Sequence, residues 1–72
     1  MIDEAVEATL RAHPDLVRDA AAARPKAWGA LAARGIVAFR ERAGRSPDDG
    51  ERRAIWAGLW RAVERERSSP AT

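Results

Sequence analysis

Apolar residues recur along this chain at helical spacing, and two proline steps break the pattern early. Ile2, Val6, Thr9 or Leu10 and His13 share one face of a helix predicted over residues 3–12, with acids crowding its first turn. His13-Pro14 ends it, because a proline disfavours helical geometry in the residue before it. Pro14 then opens a second helix, 14–23, whose stripe is Leu16, Val17, Ala20 and Ala21. Arg24-Pro25 repeats the punctuation, and a third helix is predicted over 25–43, closed by Gly44 as a left-handed C′ residue. Its stripe runs Trp28, Leu31, Gly35 and Phe39, with Ala32 and Ile36 alongside. Gly35 lies on that stripe, which predicts a close helix crossing there. Ser46-Pro47-Asp48-Asp49 reads as N-cap, first-turn proline and capping acid for a fourth helix, 47–66, with Ile55, Trp56, Leu59, Trp60 and Val63 on its apolar face.

The pattern therefore predicts an all-α chain, a small compact bundle of four helices forming one domain over 1–67 with a disordered tail at 68–72. Composition strengthens this, since seventeen of 72 residues are alanine and strand-formers are scarce. Alanine buries little area, so the core is expected to rest on Trp28, Leu31, Ile36, Val37, Phe39, Ile55, Trp56, Leu59, Trp60 and Val63, with Val6, Leu10, Leu16 and Val17 in support.

The length leaves little chain for a walled catalytic pocket, so no enzyme is expected. With no cysteine and one histidine, thiol nucleophiles, iron–sulfur clusters and the usual zinc ligand sets are absent, and no metal or cofactor is expected. Asp48-Asp49-Gly50-Glu51 lacks the alternating oxygen ligands of a calcium loop and reads as capping chemistry. No apolar run is long enough for a membrane span and the first residues are acidic, so the chain reads as cytoplasmic, with no membrane partner.

Charge changes the picture more than composition does. The formal net charge is +2, but residues 1–23 hold five acids against two arginines, net −3, while residues 24–72 hold eleven bases against six acids, net +5. Arg34, Arg40, Arg42, Arg45, Arg52 and Arg53 flank the turn between the third and fourth helices, where antiparallel packing would gather them at one end of the molecule. Arginine's planar fork suits phosphate, and it suits the neighbouring Glu41, Asp48, Asp49 and Glu51 as well.

His13-Pro14-Asp15-Leu16-Val17, Pro25-Lys26-Ala27-Trp28-Gly29-Ala30-Leu31 and Gly44-Arg45-Ser46-Pro47 together resemble the C-terminal tail domain of the B subunit of tRNA-dependent amidotransferases, a domain shared with YqeY-like proteins. His13 stands where that family has Asn, and its Gly-Gln-Val-Met segment is here Ala33-Arg34-Gly35-Ile36. The resemblance implies a small helical tail that helps hold tRNA and does no chemistry itself, with Lys26, Gly29, Leu31 and Arg45 at motif positions. Two functions are thus expected in competition. The first is an RNA-binding module, for tRNA above all, using Lys26, Arg34, Arg40, Arg42, Arg45, Arg52 and Arg53. The second is a protein-interaction or self-associating helical module that presents Trp56 and Trp60, a homo-oligomer among its possible forms.

Overall fold

The computed structural model describes residues 1–68, and all but the first residue of the tail expected at 68–72 lies outside them. Four helices follow one another, α1 (Ile2–Ala12), α2 (Pro14–Ala21), α3 (Ala27–Ala43) and α4 (Asp49–Ser68), with no strand among the described residues. The chain is a small all-α four-helix bundle. The two short helices each pack against both long ones and only lightly against each other. Trp28 of α3 meets Trp60 of α4, while Gly35 lies against Ile55 and Leu59, so the long helices run antiparallel. No helix among the described residues is long and apolar enough to cross a membrane.

The core is built from Ala5, Val6, Val17, Ala20, Ala27, Leu31, Ala38, Phe39, Ile55, Leu59 and Val63. Phe39 is the largest side chain fully inside it. Thr9 is also buried, its hydroxyl donating to the Ala5 carbonyl at 2.7 Å. Alanines at this density let backbones approach closely, and two glycines do the same at the crossings. A Cβ on Gly35 would stand 2.7 Å from Leu59 Cδ1 and 2.9 Å from Ile55 Cγ2, and one on Gly58 would stand 3.0 Å from Val6 Cγ2.

Three expectations about the core are corrected. Val37 is 41% exposed, and Trp56 and Trp60 are 36% and 39% exposed. A 3.6-residue period identifies a stripe but not its width, and these three lie at its edges, where neighbouring helices cover them only in part. Trp28 is half-buried beside the core.

Helix boundaries are corrected too. α3 starts at Ala27 instead of Pro25 because the chain reverses through two left-handed residues, Ala23 (φ 58°) and Lys26 (φ 68°). Arg24 N–H donates to the Asp19 carbonyl at 2.9 Å and Ala23 N–H to Ala20 at 3.0 Å, a Schellman closure with alanine where glycine is usual. Ala23→Gly is accordingly expected to stabilise the fold by about 0.5–1 kcal/mol, read as a higher urea midpoint with unchanged slope.

α4 begins at Asp49, not Pro47, and Ser46 is not its cap. The Glu51 N–H donates to Asp48 Oδ1 at 2.7 Å and the Asp48 N–H donates to Glu51 Oε1 at 2.9 Å. The capping box is Asp48 with Glu51, for a steric reason: the return bond needs the longer glutamate side chain, and Asp49 is too short to reach. At the other end α4 continues through Ser68, one residue into the segment expected to be disordered. Gly44 closes α3 in the left-handed region (φ 72°), its N–H donating to Arg40.

Candidate functional site

The seven basic residues read from the sequence are not gathered into one cluster. Lys26 is at the start of α3, on the order of 25 Å along that helix from Arg45. Arg34 lines a groove against α1 with Thr9, His13 and Glu41. Arg42 also faces α1, in a groove with Glu4, Glu7 and Arg11. Arg34 and Arg40 are six residues apart, which turns them about 120° from each other around the helix.

Only Arg40, Arg45, Arg52 and Arg53 remain near the α3–α4 turn, and two of those are engaged. Arg45 forms a two-pronged bond with Glu51, Nη1 to Oε1 and Nη2 to Oε2 both at 2.8 Å. Its guanidinium also lies 5.3 Å from the centre of the Phe39 ring. Arg45 thereby ties the end of α3 to the first turn of α4. Arg52 pairs with Asp49 at 3.0 Å. Arg40 and Arg53 are exposed and make no ion pair among the described residues.

The Glu51 carboxyl is pushed down to about 2, first by the Arg45 hydrogen bonds and then by the Asp48 N–H. A carboxylate lowered in the folded state contributes stability above its ordinary value of 4.5, and that contribution is lost as pH falls from there toward 2. Glu4 is also lowered, mainly by its hydrogen bond with the Met1 amino group, with Arg42 adding the smallest share. The thermal midpoint is therefore expected to fall between about pH 4.5 and 2. Glu51→Gln should flatten that fall in part, Glu4 keeping the remainder.

The second candidate surface is aromatic. Trp60 packs edge-on against Trp28, ring centroids 5.2 Å apart at 84°. The Arg67 guanidinium lies 5.4 Å from the Trp60 ring centre, and its Nε donates to the Ala21 carbonyl at the end of α2 at 3.4 Å. Trp56 stands one turn before Trp60, and Arg53 less than a turn before Trp56. The rings are thus held on a rigid helix and left partly open to solvent, a pre-ordered apolar surface with cations beside it. From the sequence, Trp56 and Trp60 are expected both on the apolar stripe and at a partner surface, and Arg67 is missed. Its seven-residue spacing from Trp60, two helical turns, was the available signal.

No protein-family model, curated protein or solved structure matches this chain. The surfaces must therefore be interpreted from their own chemistry. His13 stands between α1 and α2 and makes no side-chain cap bond. No group of three or more His, Asp or Glu residues placed to hold a metal occurs among the described residues.

Proposed function

We propose that this chain is a non-catalytic helical docking module that holds a protein partner on the outer face of α4, with Trp56 and Trp60 as anchors. The exposure of both rings carries the reading. At 36% and 39% open, two of the largest apolar side chains in the chain stand outside a core closed by smaller residues. Tryptophan and arginine are the residues that dominate binding energy at protein interfaces, and Arg53 and Arg67 flank these rings. Trp28 and Arg67 restrain Trp60 before any partner arrives, which lowers the ordering cost of binding.

A photo-crosslinking residue at the exposed Ala57, between the two tryptophans, tests this in cells expressing the chain. A discrete protein adduct is expected, and Trp56→Ser with Trp60→Ser should abolish it. No adduct from this face would remove the proposal.

The tRNA reading stays as a second proposal on one observation. Lys26, Arg34, Arg40 and Arg53 have no ion-pair partner among the described residues, so their charge is available to phosphate. Gel shifts with tRNA at two salt concentrations would then show steep weakening with salt, and Arg40→Ala with Arg53→Ala would weaken binding further. Undetectable binding at low salt rules this reading out.

A further inference from the structure

Asp49, Arg53, Trp56, Trp60, Glu64 and Arg67 succeed one another on α4 at spacings of four, three, four, four and three. The mean of those steps is the 3.6-residue turn of the helix, so all six stay on one straight line along it. Every one of them is exposed. The order of their chemistry is acid, base, Trp, Trp, acid, base.

Reversed, the line runs base, acid, Trp, Trp, base, acid. We infer that the partner of this face is a second copy of the chain, joined by antiparallel packing of α4 on α4 about a two-fold axis midway between Trp56 and Trp60. The inference rests on the docking role proposed for this face. Under that symmetry Asp49 meets Arg67 of the second copy, Arg53 meets Glu64, and Trp56 meets Trp60, and each pairing occurs twice. The midpoints of the three pairings coincide within half a residue, so one register satisfies all of them. Parallel packing would bring like charge to like charge. Each end of the line pairs one acid with one base, which also disfavours a phosphate backbone as its occupant.

The charges have the freedom the pairing needs. Arg53 and Glu64 make no ion pair among the described residues. Asp49 holds Arg52 with one oxygen and is otherwise open, its side chain 81% exposed. Arg67 bonds the Ala21 carbonyl through Nε alone at 3.4 Å, which leaves the rest of its guanidinium fork. A helix face about 30 Å long and 10 Å wide falls short of the roughly 800 Å² per partner of a standard interface. Association is therefore expected in the micromolar range, and the measurement has to reach high concentration.

Sedimentation equilibrium on the purified chain, from about 1 μM to about 1 mM, should show the mass rise from 7.9 kDa to twice that value. Arg53→Glu and Glu64→Arg should each weaken the dimer by about tenfold or more, because each places like charges together at two symmetric points. Combined in one chain, they re-create the pairing with reversed sign and should restore the dimer to within about threefold. Neither change threatens the fold, since an acid near the start of α4 and a base near its end both suit the helix dipole. A mass of 7.9 kDa persisting at about 1 mM, or a charge swap that fails to restore the dimer, overturns the inference. A monomer whose Ala57 probe still captures a different protein would lose the second copy and keep the docking face. A monomer with no adduct at all would lose both.

Discussion

Leu59→Ala is expected to cost the fold more stability than any other single change considered for this chain. Leu59 is fully buried and reaches Gly35 across the α3–α4 crossing. Truncating a buried leucine costs about 3–5 kcal/mol, the larger values applying where the surroundings cannot close the cavity. They cannot easily close it here, because alanines in the core have no side chain to swing into the space. A domain of this length has a total stability of about 4–11 kcal/mol, so one substitution consumes a large part of it. A thermal midpoint lowered by on the order of 20 °C in circular dichroism, with the transition still cooperative, is the expected result. A transition near that of the unmodified chain would show that the crossing is looser than the structure has it.

Gly35→Ala is expected to destabilise by up to about 2 kcal/mol, even though alanine is the better helix former by about 1 kcal/mol. The new methyl would meet Leu59 and Ile55 at 2.7 and 2.9 Å, and both side chains are locked inside the core. Overpacking of this kind costs about 1–3 kcal/mol before the helix gain is set against it. Gly29→Ala on the same helix is the control. Nothing lies within 4 Å of a Cβ there, so that change should stabilise by about 1 kcal/mol. The same chemical substitution on one helix thus has opposite signs.

The two substitutions at the crossing should also be coupled. With Leu59 truncated, the methyl on residue 35 occupies part of the vacated space, so the double variant should cost at least about 1 kcal/mol less than the sum of the singles. Urea denaturation of the four chains measures the coupling. Strict additivity would mean that Gly35 and Leu59 do not share that space.

Much of the fold was legible along the chain because it depends on local signals. Pro14 announced the α1–α2 step, Gly44 announced the end of α3, and the alanine content excluded strands. Gly35 was legible as well, since a glycine on an apolar stripe has few explanations other than close approach. The start of α4 was less so. Ser46-Pro47-Asp48-Asp49 offers two overlapping caps, and the choice between them depends on whether a side chain can reach back over three residues. Glu51 can, and in doing so it also draws Arg45 into the cap.

The arginines show the limit more sharply. Their proximity in sequence to one turn suggested a single cluster, yet rotation of about 100° per residue along α3 turns Arg34 and Arg42 toward α1 and Arg40 to another side. Carboxylates at the turn then take up Arg45 and Arg52.

By itself the sequence determined the helical class, the number of helices, the polar breaks between them and the absence of cysteine chemistry, all of which rest on residue type and short-range spacing. Only the tertiary structure decided which cations are already paired, which of the three tryptophans remain open, and which glycine is crowded. Those properties depend on what the neighbouring helix presents at a given point. The spacing of residues within one helix carries no information about that neighbour.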